Sequence, residues 1–211
     1  MFFRHFIGAI EVEATDDAVS AFRALWGTFF MAVSFLTTTG YASAEWAAAR
    51  SWSGLASPGL VLLGLAMIGG GVATTAGGVK LLRVYALFRH GERELEKLIH
   101  PSSVGGQGPQ ARRMRREGAY FAWLFFMLFA LSIAVSTAAL SLMGLVFEDA
   151  LVLTLAALST TGQLADLAGA VPIRYADLAI PAKVFLAVAM VVGRLETLAL
   201  LALLAPSSWQ R

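Results

Sequence analysis

Residues 37–41 read Thr-Thr-Thr-Gly-Tyr, and residues 159–163 read Ser-Thr-Thr-Gly-Gln. Each run closes a short apolar segment and precedes a long hydrophobic stretch. Hydroxyl and carbonyl oxygens crowded at the mouth of a membrane helix suit a cation that has shed its water. Rings of such oxygens replace the hydration shell in ion-selective filters. The candidate ligands are Thr37, Thr38, Thr39, Gly40 and Tyr41 in the first run. In the second they are Ser159, Thr160, Thr161, Gly162 and Gln163. A single Thr-Gly run also fits an ordinary turn; its repetition ahead of a second apolar stretch carries the reading.

Two further places carry unusual chemistry. Residues 69–78 read GGGVATTAGG, five glycines in ten. A regular helix does not hold there, since each glycine costs about 1 kcal/mol relative to alanine. The expectation is two half-helices joined by an unwound segment at membrane depth, which is tolerable only when buried in protein or lining a water-filled cavity. The alternative is a close helix-packing surface of small residues. It is not a phosphate loop, because Gly78 is followed by Val79 and Lys80 rather than by Lys and Ser or Thr. Arg194 and Glu196 interrupt the apolar run 181–206. Intramembrane charge costs about 2.5 kcal/mol or more, so a functional role is the default, against satisfaction by carbonyls or a structural partner. Asp166 and Asp177 either concentrate cations at an outer mouth or are solvated loop carboxylates.

The elements that must position these residues follow from composition. The chain has 211 residues, 58% of them hydrophobic and 14% charged, with a mean hydropathy of +0.71. Soluble domains carry about 45–50% apolar and about 25% charged residues, so an integral membrane protein is indicated. With no cysteine there is no disulfide, thiolate metal site or cysteine nucleophile. His5, His90 and His100 lack metal-ligand spacing, and no nucleophile–base constellation suggests an enzyme. Met1–Arg4 with Phe6 and Ile7 is too short an apolar start, ahead of Glu11 and Glu13, for a cleavable signal.

A crossing needs about 20 apolar residues. Residues 119–147 supply the clearest one, 181–206 a second, and 58–88 a third that is broken at 69–78. Trp26–Leu36 and Asp149–Leu158 are too short to cross and read as re-entrant pore helices. Their C-terminal ends would favour a cation through the helix dipole. Superposing Gly40 on Gly162 aligns short helix, Thr/Gly run, polar loop and long helix, an internal repeat. Lys80, Arg83, Arg89, Arg93, Lys97, Arg112, Arg113, Arg115 and Arg116 make the connection 80–118 cytoplasmic by the positive-inside rule. Both Thr/Gly runs then enter from outside, and the C-terminus is cytoplasmic. Within that connection a helix is expected over Leu87–Ile99 and a loop over Pro101–Gln110. The basic residues chiefly set topology, with lipid headgroups or a cytosolic partner secondary and no nucleic acid expected. The predicted fold class is all-α integral membrane, with three membrane-spanning helices plus two re-entrant pore helices.

VSFLTTTGY (33–41), IGGGVATTAGGVKLLRV (68–84), ELEKLIHP (94–101) and VGRLETLALLALLAP (192–206) together resemble the Trk/Ktr/HKT potassium transporters, most closely their bacterial TrkH branch. The resemblance covers nearly the whole chain as one transmembrane domain, 1–211. It implies a fold of four helix–pore loop–helix repeats, of which this chain matches the third pore loop onward and the complete fourth repeat. By the same resemblance, 37–41 and 159–163 are potassium filter strands. Gly69, Gly70, Gly71, Thr74, Thr75, Gly77 and Gly78 form a gate beneath them, with Arg194 near the permeation path. Gln163 departs from the pattern at a variable position. Also implied are potassium as transported substrate without a cofactor, a bacterial inner-membrane location, a homodimer of the complete protein and a cytosolic nucleotide-binding regulatory subunit of TrkA type. The rival reading is a non-transporting membrane scaffold or assembly fragment, since two filter strands do not ring an ion.

Overall fold

The computed structural model describes residues 17–53, 58–71, 74, 76–99, 109–169 and 171–195. Among them the chain is helical, without β-strand. Helix α1 is Asp17–Leu36, α2 Trp46–Ser53, α3 Pro58–Ile68 and α4 Leu81–Ile99. Helix α5 is Pro109–Leu142, α6 Phe147–Leu158, α7 Leu164–Ala168 and α8 Ile180–Leu195, with a 3-10 turn at Tyr175–Asp177 before α8.

Several bounds differ from those the sequence suggests, each for a local reason. Helix α1 begins nine residues ahead of Trp26. Ala18, Ala21 and Ala24 are strong helix formers with no Gly or Pro among them, and an aspartate suits a helix N-terminus. The apolar pattern therefore marked only the membrane-like part of a longer helix. Helix α6 likewise starts at Phe147 rather than Asp149, which puts Glu148 and Asp149 in its first turn. Pro109 and Gln110 are helical rather than loop; proline is well suited to a first helical position, where no N–H bond is needed. Residues 101–108 of that expected loop lie outside the described residues, as do 196–206 of the last apolar run.

Helix α5 stops at Leu142, short of residue 147, at a turn in which Gly144 takes a φ of 95°. Leu145 N–H donates to the Leu140 carbonyl and Gly144 N–H to the Ser141 carbonyl, the Schellman arrangement with glycine in its left-handed position. Within α5, Tyr120–Leu142 is 23 residues of mean hydropathy 2.1, long and apolar enough to cross a membrane. At 1.5 Å per residue it extends roughly 35 Å against a hydrocarbon core of about 30 Å. Helix α6 at 12 residues reaches only about 18 Å and does not cross.

The short helix is the hub. Every residue from Val152 to Leu158 is buried, as expected for a helix that is apolar all round. On one side Leu140, Ala150, Leu153, Ala157, Ala182, Leu186 and Ala189 join α6 to α5 and α8. On the other, Met31, Phe35, Leu62, Ala66, Leu155, Ala156 and Leu164 join it to α1, α3 and α7. The outer faces run opposite to those of a soluble protein. Phe22, Trp26 and Phe29 on α1, Phe121, Leu131 and Val135 on α5, and Val184, Val188 and Val191 on α8 are exposed. Meanwhile Ser34, Thr38, Thr154, Ser159 and Thr161 are buried. Large exposed apolar belts mark surfaces meant for lipid or other protein.

Candidate functional site

The two Thr/Gly runs sit at the C-terminal ends of α1 and α6, and their first three backbone N–H groups are bonded alike. Thr38 N–H donates to the Phe35 carbonyl at 3.2 Å and Thr39 N–H to the Ser34 carbonyl at 2.9 Å. In the second run Thr160 N–H donates to Ala157 at 3.1 Å and Thr161 N–H to Ala156 at 2.9 Å. Both are Schellman caps, and the left-handed position that usually takes glycine holds threonine. Thr38 has a φ of 55° and Thr160 a φ of 59°. The hydroxyls repeat the match. Thr37 Oγ1 donates to the Val33 carbonyl at 2.8 Å and pairs with Thr39 Oγ1. Ser159 Oγ donates to the Leu155 carbonyl at 2.6 Å and pairs with Thr161 Oγ1.

The runs lie against each other. A methyl placed on Gly40 would fall 3.5 Å from Thr161 Cα. Gln163 bridges them, its Oε1 accepting the Ala42 N–H at 3.1 Å. Gln163 thus clasps the two runs together.

Beneath them the chain leaves the helix at Gly69 and re-enters at Leu81. Val79 N–H donates back to the Met67 carbonyl and Leu81 N–H to the Gly70 carbonyl. These two bonds tie the end of the first helix to the start of the second. The described residues of this stretch, 69–71, 74 and 76–80, are non-helical. Two contacts explain the glycines. A Cβ on Gly77 would come within 2.7 Å of the Ser159 carbonyl oxygen, and one on Gly78 within 2.8 Å of the Met67 oxygen. Gly70 is near the Thr37 carbonyl, 3.7 Å from where its Cβ would be. The loop therefore touches the base of both runs. Thr74 Oγ1 donates to the Gly71 carbonyl. Val72, Ala73 and Thr75 lie outside the described residues.

The remaining candidates are less gathered. Arg194 lies exposed in the last turn of α8. Its neighbour Gly193 packs so closely on the Leu158 carbonyl that no side chain fits there. Glu196 lies outside the described residues. Asp166 and Asp177 are exposed, in the first turn of α7 and in the 3-10 turn. Tyr41 is exposed and Thr37 and Thr39 are exposed, whereas Ser159 and Thr161 are buried. Among the described residues no three of His, Asp and Glu gather as a metal site would require.

Which oxygens are free separates the runs, and nothing in the sequence signals it. The carbonyls of Thr37, Thr38, Thr39 and Gly40 accept no hydrogen bond from the described residues. In the second run that holds for Ser159 and Thr160, while the Thr161 carbonyl accepts Leu164 N–H and the Gly162 carbonyl accepts Ala165 N–H. Helix α7 begins immediately after the run and takes up these oxygens. Gly162 also accepts the Tyr175 hydroxyl at 3.0 Å. Burial, and then the Asp166 charge, push the Tyr175 hydroxyl up from 10 to about 12, so it stays protonated as a donor at physiological pH. The two glycines differ too. Gly40 needs its freedom, with a φ of 79°, whereas Gly162 is not left-handed.

The chain matches the family model "TrkH: Cation transport protein" over residues 13–211. It is 34% identical over 191 residues to the Trk system potassium uptake protein TrkH of Salmonella typhimurium, covering 90% of this chain and 38% of that protein. To the Trk system potassium uptake protein TrkI of Halomonas elongata it is 32% identical over 208 residues, 96% of this chain and 40% of that one. Among solved structures, the potassium transporter TrkH from Vibrio parahaemolyticus superposes with a TM-score of 0.73 at 28% identity. That superposition covers 99% of this chain and 42% of the other. The chain thus spans about two fifths of the length of these relatives.

Proposed function

The chain belongs to the TrkH family of cation transport proteins, and from that membership we propose that it supplies two of the filter tracts of a potassium-uptake pore. The family is a transport family and not an enzyme family, and its members are bacterial membrane proteins. The observation that carries the proposal is the identically capped pair, 37–41 and 159–163, held side by side above one glycine loop. Potassium sheds water at the outer mouth and takes oxygens from Thr37–Tyr41 and, within Ser159–Gln163, from those that helix α7 and Tyr175 leave free. It then passes inward when the loop that includes Gly69, Gly70, Gly71, Thr74, Thr75, Gly77 and Gly78 moves aside. Arg194 lies beyond that loop near the exit.

About four tracts close a potassium site. The open side of Thr37, Thr39 and Tyr41 is where further tracts of the larger pore would stand. By the same reading the complete protein is a homodimer in the bacterial inner membrane. The basic stretch 80–118 and the C-terminus face the cytosol, available to lipid headgroups and to a nucleotide-binding regulatory subunit.

Gly162→Ser is the sharper test, because that backbone is unstrained and a Cβ there would meet only the Tyr175 hydroxyl at 4.0 Å. It should lower potassium-over-sodium selectivity with little loss of protein. Gly40→Ser should lower both, through its positive φ. Growth of a potassium-uptake-deficient strain at micromolar potassium, with and without excess sodium, reads the effect. Unchanged selectivity in both variants rejects the filter assignment and leaves a non-transporting scaffold.

A further inference from the structure

Tyr175 stands outside both repeated runs, and the pairing of those runs assigns it nothing. Its ring packs against the cluster of Leu140, Ala150, Leu153 and Ala182. Its backbone is fixed in a 3-10 turn, and the next carbonyl, that of Ala176, accepts the Lys183 ammonium at 2.6 Å. A ring held from two sides places its hydroxyl with little freedom. That hydroxyl donates to the Gly162 carbonyl at 3.0 Å, and Ala165 N–H donates to the same oxygen at 3.3 Å. A carbonyl has two lone pairs, and both are engaged. The Gly40 carbonyl, its counterpart in the first run, accepts nothing from the described residues.

We propose that Tyr175 is a positioning residue for ion selectivity, its hydroxyl holding the Gly162 carbonyl so that the second run offers a fixed set of backbone oxygens to the cation. The inference rests on the pore reading above and names a residue that reading does not use. Oxygens that relax inward fit sodium as well as potassium, whether size or field strength dominates the discrimination. A tie on the carbonyl from behind the run opposes that relaxation. Among the described residues the Gly40 carbonyl has no such tie, which makes the second run the stiffer wall.

Tyr175→Phe keeps the ring and removes the donor. Made at the gene's own locus, so that every other pore component is present, it is read by uptake of radioactive rubidium and sodium and by the melting temperature of the purified protein. The rubidium-over-sodium ratio should fall at least about threefold, the scale of one lost hydrogen bond, with melting within a few degrees of the parent. Ile173→Ala thins the same packing surface without touching the carbonyl and should leave the ratio alone. An unchanged ratio in Tyr175→Phe, or an equal fall in Ile173→Ala, overturns the proposal. If Gly162→Ser changes the ratio while Tyr175→Phe does not, this inference fails and the pore reading stands. If deleting the gene leaves rubidium uptake unaltered, both fail.

Discussion

Threonine at a left-handed position is a costly residue choice. At Thr38 and Thr160 the φ values are 55° and 59°, where a β-branched side chain is a genuine outlier and about 1–2 kcal/mol is lost. At the end of α5 the same cap is made by Gly144, so the fold has the cheaper solution at hand. Strain kept in both runs at the same register fits a site where hydroxyl or backbone geometry matters more than stability. Thr160→Gly should accordingly raise stability by about 1 kcal/mol, seen as a higher melting temperature in detergent, while lowering potassium-over-sodium selectivity. A variant that gains stability with selectivity intact would assign Thr160 to the cap alone. The residue types were legible in the sequence: TTTG and STTG announce oxygens and a repeat. Which threonine takes the strain was not, because a run of three threonines carries no mark of the turn's register. Tyr175, and the bridge that Gln163 makes between the runs, were missed for a related reason. Their partners, Ala42 and the Gly162 carbonyl, are backbone groups, and backbone groups leave no trace in the amino-acid letters.

Among the elements, the glycine loop between α3 and α4 has the clearest physical account. Its composition excluded a helix, and its length beyond a single crossing implied two helical pieces. Its contacts were hidden. Gly69 meets Gly77, Gly77 meets Ser159 and Gly78 meets Met67, all approaches to backbone that a Cβ would block. Deleting residues 72–76 removes the span between these contacts while keeping Gly69, Gly77 and Gly78. If the segment obstructs the pore, potassium leak from loaded liposomes or cells should rise. A leak no greater than the parent's would assign the loop to packing. The ends of α1, α5 and α6 were misplaced by two to nine residues because hydrophobic pattern reports lipid or core exposure. Helix ends are instead set by capping and by charge at the dipole, as Gly144 and Asp17 illustrate.

At the scale of the molecule, helix α6 is enclosed by α5, α8, α1 and α3, so the second run sits inside the protein while Thr37, Thr39 and Tyr41 of the first lie at its edge. That asymmetry fits a wedge of a larger ring, consistent with a chain spanning about two fifths of its relatives. Topology can be tested directly because the chain has no cysteine. A cysteine at Gly105→Cys should react with a membrane-impermeant maleimide only after the cell is opened, and one at Ala176→Cys in intact cells. The reverse pattern would invert the proposed entry side of both runs and overturn the uptake orientation.

Sequence alone determined the apolar bulk, the basic connection, the break at 69–78 and the equivalence of Gly40 with Gly162. Each of these is a property of residue type and spacing, set by solvation and backbone freedom within one segment. Only the tertiary structure decided that the two runs touch, that Gln163 joins them, and that the Gly162 carbonyl is occupied by Tyr175 while the Gly40 carbonyl accepts nothing from the described residues. Those depend on how helices pack across more than a hundred residues, where a few tenths of an ångström decide whether an oxygen has a donor.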